Sequence, residues 1–209
     1  MIVGISGKAR VGKDTIGGIL KKELFEAGKG EFQLMEFSRA IKERIAKDFD
    51  LSPEQLYDDL KESPDKRYIK KGIKSEGYWT PREMLQAYGE FFRTIDDNFW
   101  VNEVFKNKFE NLIITDVRHK EEVKAVKDRG GYHVRIYRNH NIEVHGKSHI
   151  SEIALDFIDV DSADIDQVYI PDFKIENNNS IKDLTNVVKD IILMIYKLEE
   201  FNKSQLSPS

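Results

Sequence analysis

The chain has 209 residues, 40% of them hydrophobic and 33% charged, with a formal net charge of -4 and no cysteine. A chain of this length hides roughly 70% of its unfolded surface, enough for a genuine core and, as a first expectation, one main domain. The composition excludes a disordered chain and a membrane span, the negative balance argues against a nucleic-acid coat, and the missing cysteines leave any metal to oxygen or imidazole ligands.

Met1 leads straight into the apolar run Ile2–Ile5 with no basic leader or cleavage site, so a cytoplasmic location is expected. Ile2 to Ser6 reads as a buried strand. A glycine loop follows, and then a helix with Ile16, Ile19, Leu20 and Leu24 on one face, closed by Gly28 and Gly30. Phe32 to Phe37 reads as a second strand, and this βαβ opening favours a parallel sheet. Arg39 to Phe49 reads as a helix. From Leu51 to Tyr78 the pattern weakens, and an excursion outside the core is expected. Its basic cluster Lys66, Arg67, Lys70, Lys71 and Lys74 reads as a solvated face.

Thr80, Pro81 and Glu83 form an N-cap, a first-turn proline and a capping-box acid, predicting a helix to about Arg93. A further helix carries Phe99, Val104, Phe105 and Phe109. Asn111 to Thr115 is an apolar strand ending at Asp116, His119 to Arg129 a helix, and Tyr132 to Arg138 a strand. The polar stretch Asn139–Ser148 reads as a loop, with a short helix near His149. A last strand lies within Val168–Ile175, and Ser180 with Asp183 caps a helix bearing Leu184, Val188, Ile191, Ile195 and Leu198, fraying from Asn202.

GKARVGKD, Gly7 to Asp14, fits GxxxxGK directly after an apolar strand and at the opening of an amphipathic helix, the context that gives this pattern its meaning. Glycines let successive N–H groups turn inward onto phosphate oxygens, the helix N-terminus adds positive potential, and a lysine reaches the outer phosphates. Gly7, Lys8, Arg10, Val11, Gly12, Lys13, Asp14 and Thr15 are therefore assigned to a nucleoside triphosphate. Asp14 stands where serine or threonine usually offers a hydroxyl to magnesium. It either holds Mg²⁺, as a hard cation accepts carboxylate, or complements the helix dipole.

GKARVGKDT, TPREMLQAYGEFFRTIDDNFW, TDVRHKEE and SHISE, in that order, resemble the deoxynucleoside monophosphate kinases of bacteriophages. The resemblance implies a P-loop kinase fold: three layers, α/β/α, with a mostly parallel sheet. It implies a core of 1–37 and 111–201, a helical substrate region of 38–110, a lid of about 138–152 and a disordered tail of 202–209. It also implies ATP with Mg²⁺, transfer to a deoxynucleoside monophosphate, and a homodimer in the cytoplasm, of the host if phage-encoded.

Carried over by residue, it places Arg82, Gln86, Gly89, Arg93 and Trp100 with the monophosphate, and Glu90 replaces the family's common threonine. Trp100 reads equally as core. Asp116 and Arg118 follow a strand at the edge where open α/β sheets bind ligands. There they serve as catalytic groups, Asp116 also as a metal ligand, or else as a helix cap and an ion pair with Glu122. Glu122 and Glu152 join the substrate set. Arg135, Arg138 and Lys147 flank the lid, with Arg138 assigned to ATP, and Asn177 lies where related folds hold adenine. His140 and His145 read as surface residues. The rival readings are another small-substrate P-loop kinase, acting on dephospho-coenzyme A or phosphomevalonate, or a nucleotide-switched interaction module.

Overall fold

The computed structural model describes residues 1–71, 77–138 and 169–206. The chain divides into two compact units, Met1–Met35 with Phe109–Ser209, and Glu36–Lys108. The sequence suggested one domain with an appended helical region. The second unit has its own packed cluster.

Among the described residues, the first unit is built on five parallel strands. In chain order it runs β1 (Ile2–Gly7), α1 (Lys13–Glu26), β2 (Gln33–Met35), β3 (Leu112–Val117), α6 (Lys120–Asp128), β4 (Tyr132–Tyr137), β5 (Phe173–Glu176) and α7 (Ile181–Leu206). The sheet order is β2-β3-β1-β4-β5. Every residue of β3 is buried, as expected for a central parallel strand covered on both faces.

Side chains alternate across β1 and assign the covering layers. Val3 and Ile5 join Ile16, Leu20 and Leu24 of α1 and Leu184, Val188, Ile191 and Ile195 of α7 in one buried cluster. Gly4 points the other way, where a Cβ would lie 3.0 Å from Val126 of α6 and 3.1 Å from Val117. Helices therefore cover both faces, giving three layers. α7 continues through Leu206 where the sequence suggested fraying from 202, because neither glycine nor proline occurs between Ile181 and Ser207.

The second unit contains α2 (Ser38–Phe49), α3 (Pro53–Tyr57), a 3-10 turn (Asp59–Glu62), α4 (Pro81–Ile95) and α5 (Phe99–Phe105). The segment 51–78, expected outside the core, supplies part of one. Leu51 and Leu56 are buried with Ile45 and Met84, and Phe49, Tyr68, Trp79 and Tyr88 pack against them. α3 is fixed by the same device as α4: Ser52 caps, Pro53 takes the first position, and the Gln55 side chain returns to the cap backbone. α5 stops at Phe105, short of Phe109.

One buried polar pair lies in the sheet. Ser6 Oγ and His133 Nε2 are 2.7 Å apart. Burial, and then the Lys127 and Arg135 charges, lower the imidazole pKa from 6.5 to about 4, with Asp172 opposing. The unfolded chain takes up this proton below pH 6.5 and the fold not until about pH 4, so stability falls as pH drops through that window. The thermal midpoint should drop more steeply between pH 6.5 and 4 in wild type than in His133→Gln. Identical profiles would show that His133 carries none of the acid sensitivity.

Candidate active site

The turn from β1 into α1 forms a phosphate cradle. Gly12 caps α1 in the left-handed region with φ 96°, and no side chain caps that helix end. The first-turn N–H groups, which have no acceptor within their own helix, are thus left to an anion. Arg10 is also left-handed at φ 63°, a conformation uncommon outside glycine. Gly7 admits no side chain, since a Cβ would lie 2.6 Å from the Ile136 carbonyl oxygen. Val11 points inward and joins the main cluster, pinning the middle of the loop. Lys13 folds back, its ammonium donating to the carbonyls of Gly7 and Lys8 at 2.9 Å each. Lys8, Asp14 and Thr15 are exposed.

Parallel register brings the other candidates of this unit to the same sheet edge. Ser6 pairs with Val117 and Gly7 with Ile136, so the loop begins level with Arg118 on one side and just short of Arg138 on the other. Asp116 is buried in the last turn of pleat of β3 and is not the cap of α6. Arg118 is half-buried and Arg138 exposed. Glu122, assigned to the substrate, is buried and accepts the backbone N–H groups of Arg118 at 2.6 Å and His119 at 3.1 Å. It therefore fixes the backbone that presents Arg118.

Asn177, expected near adenine, holds the phosphate loop. Its Nδ2 donates to the Val11 carbonyl at 2.8 Å, and its backbone N–H donates to Tyr137 at 2.8 Å. A Cβ on Gly12 would lie 2.5 Å from that same Nδ2. Sequence reasoning missed this strap because a loop asparagine before a helix reads as a cap. Glu152, Lys147, His149 and the lid positions 139–152 lie outside the described residues.

In the second unit, Arg82, Gln86, Gly89 and Arg93 recur at helical spacing along one stripe of α4. Arg82 is half-buried and its Nε pairs with the Glu62 carboxylate. Gly89 allows a close approach, but of protein: a Cβ there would lie 3.2 Å from both Ile41 and the Arg93 guanidinium. Trp100 is 1% exposed, and its indole N–H donates to the Gly89 carbonyl at 2.9 Å. It is enclosed by Tyr88, Phe92 and Phe99, so Trp100 and Gly89 belong to the unit's core and not to a ligand surface.

The fold and loop of the first unit define a P-loop protein of the three-layer α/β/α class. A family model described as deoxynucleotide monophosphate kinase matches residues 47–188, more than half of the chain, and the chain belongs to that family. It is accordingly a nucleotide monophosphate kinase, and ATP use follows from the family. A protein of Acanthamoeba polyphaga mimivirus, provisionally named deoxynucleotide monophosphate kinase, is 29% identical over 157 residues, covering 66% of this chain and 74% of its own. Among solved structures, Aquifex aeolicus shikimate kinase aligns over 95% of this chain and 98% of its own at 18% identity and TM-score 0.48. Campylobacter jejuni dephospho-CoA kinase aligns over 93% and 96% at 15% identity and TM-score 0.44. At these scores neither likeness carries functional weight.

Lys13→Ala should lower turnover by about 100-fold or more, because it removes a preorganised charge from the transferring phosphates, while circular dichroism stays unchanged. Wild-type kinetics in that variant would remove the loop from the reaction. Asn177→Ala leaves the Val11 carbonyl unpaired and should raise the KM for ATP severalfold, with a stability loss of only about 1 kcal/mol. A loss of stability without a change in ATP KM would make Asn177 a purely structural residue.

Proposed function

We propose that the chain transfers the γ-phosphate of ATP, with Mg²⁺, to the phosphate of a deoxynucleoside 5′-monophosphate, releasing ADP and the deoxynucleoside diphosphate. The observation that carries this reading is the cradle after β1 with Lys13 folded over it, in a chain whose family is named for this class of acceptor. An oxygen of the acceptor phosphate attacks the γ-phosphorus, and the bond from that phosphorus to the β-bridging oxygen breaks in line. Such a transfer needs positioning and charge neutralisation more than covalent help from the protein.

Lys13 and the first-turn N–H groups of α1 hold the β- and γ-oxygens. Arg118, with its backbone fixed by Glu122, neutralises charge on the transferring group, and Asp116 orients the acceptor side. Arg82 and Gln86 on α4 are the acceptor residues of the second unit, with Arg93 on the same stripe beside the packed Gly89. To bind, Arg82 exchanges Glu62 for a phosphate of like charge, which suits a guanidinium fork.

Among the described residues no group of three or more His, Asp or Glu side chains forms a metal site. A hard cation would take most of its ligands from phosphate and water, with the exposed Asp14 carboxylate and buried Asp116 as the protein oxygens. When bound, Mg²⁺ supplies charge neutralisation across the β- and γ-phosphates.

Purified protein with ATP, Mg²⁺ and each of the four common deoxynucleoside monophosphates should release ADP with at least one of them. No release above background with any would sink this reading. Arg82→Ala should raise the monophosphate KM about tenfold or more while the ATP KM stays level. An effect confined to ATP would assign Arg82 to the other substrate.

A further inference from the structure

The phosphate loop is entered through a buried polar pair that the reaction above does not use. Ser6, the residue before Gly7, is 0% exposed, and its Oγ lies 2.7 Å from Nε2 of His133 on β4, itself 1% exposed. We propose that Ser6 and His133 are positioning residues for the phosphate loop. Their bond fixes where the Gly7 carbonyl stands, and through that carbonyl the resting place of the Lys13 ammonium. The role rests on the loop being the ATP cradle.

The end of β1 depends on β4 for its alignment. On its other side, β1 pairs regularly with β3 from Ile2 to Gly4, but that register shifts between Gly4 and Ser6. Against β4 the register runs unbroken from Val3 with Tyr132 to Gly7 with Ile136. Gly7 has no side chain of its own to hold it, so Ser6 carries the last side chain of β1 before the loop. Its hydroxyl ties the strand sideways to β4 at that point. One residue on, the Gly7 carbonyl accepts from the Lys13 ammonium at 2.9 Å.

His133 is anchored in turn. Its backbone N–H donates to Asp172 Oδ2 at 2.7 Å, and the other oxygen of Asp172 pairs with Lys127 of α6. A chain of polar contacts thus runs from α6 through Asp172, His133, Ser6 and Gly7 to Lys13. Burial, followed by the Lys127 and Arg135 charges, keeps the imidazole neutral down to about pH 4, with Asp172 opposing. The Ser6–His133 bond therefore joins two uncharged groups and is present throughout the neutral range.

Such a pair is a costly way to fill a core. Nδ1 of His133 is buried and meets no hydrogen-bond partner among the described residues. An unmet buried polar atom is destabilising, whereas two apolar side chains of the same shape would fill the space without that cost. What the polar pair adds is direction: a hydrogen bond sets a distance and an angle, which apolar contact does not. That property matters at the last residue before a loop whose N–H groups and lysine must face a phosphate.

The test reads ADP affinity by titration calorimetry on the full chain, together with the KM values for ATP and monophosphate. Ser6→Ala and His133→Leu should each weaken ADP binding and raise the ATP KM about fivefold or more, with the monophosphate KM within about twofold of wild type. His133→Gln, whose amide nitrogen can take the place of Nε2, should keep ADP affinity within about twofold. Val188→Ala, a cavity in the main cluster at α7, should lower the thermal midpoint and leave ADP affinity unchanged. In a Lys13→Ala background, Ser6→Ala should weaken ADP binding by less than about twofold further, because the two act through one contact. Wild-type ADP affinity in Ser6→Ala, an equal loss in Val188→Ala, no rescue by His133→Gln, or full additivity with Lys13→Ala each overturns the proposal. ADP binding is read without turnover, so a loss in Ser6→Ala stands even if no monophosphate is phosphorylated. Transfer with unchanged ADP affinity in that variant keeps the reaction and removes the pair, and no ADP binding by wild type removes both.

Discussion

The bend between β1 and α1 is the constraint on which the first unit's chemistry depends. A loop of backbone N–H groups attracts phosphate only if its shape survives without the ligand, and here several unrelated contacts impose that shape. Val11 is buried in the main cluster, Asn177 holds the Val11 carbonyl, and the Ile136 carbonyl lies where any Gly7 side chain would have to go. Two of these anchors, Ile136 on β4 and Asn177 just after β5, follow the loop by more than 120 residues. The parallel sheet is thus what makes the cradle rigid, and the cradle places its charge at the carboxyl edge where the strands end.

The second unit follows a different economy. Its conspicuous aromatic and charged residues are largely occupied with one another. Arg44 pairs with Glu103 at 2.8 Å and stacks over Phe99, Trp100 bonds to Gly89, and Lys42 is buried against Glu36. Gly89 and Trp100 therefore act on α4 as packing residues, setting how α4 lies on α2 and α5. In the proposed reaction they act indirectly, through the direction in which Arg82 and Gln86 are presented. The family match, residues 47–188, begins after the phosphate loop, so loop geometry and family membership support the kinase reading independently.

How far these features could be read from the sequence depended on whether a local rule governed them. The phosphate loop and the start of α4 were legible because each rests on residues within a few positions, GxxxxGK in one case and Thr80, Pro81 and Glu83 in the other. α3 obeys the same capping rule through Ser52, Pro53 and Gln55, but it is only five residues long and too short to show a periodicity. Glu122 and Asn177 were placed near ligands because their bonds to the Arg118 and His119 N–H groups and to the Val11 carbonyl are fixed by strand register and tertiary packing. No short window of sequence contains that information. The Ser6–His133 pair was missed for the same reason, since its partners are 127 positions apart.

The resting position of Lys13 bears on how the cradle works. A flexible four-carbon ammonium would ordinarily lose rotamer freedom on meeting a triphosphate. Here that ordering is already in place, because the Gly7 and Lys8 carbonyls hold the charge over the loop. In the proposed reaction Lys13 exchanges these neutral acceptors for anionic phosphate oxygens, and charge-assisted bonds are roughly twice as strong as neutral ones. The exchange also frees two carbonyls, of which that of Lys8 lies at an exposed residue and that of Gly7 at a half-buried one. The lysine is therefore preorganised by contacts separate from those of Val11 and Asn177 that fix the loop's shape.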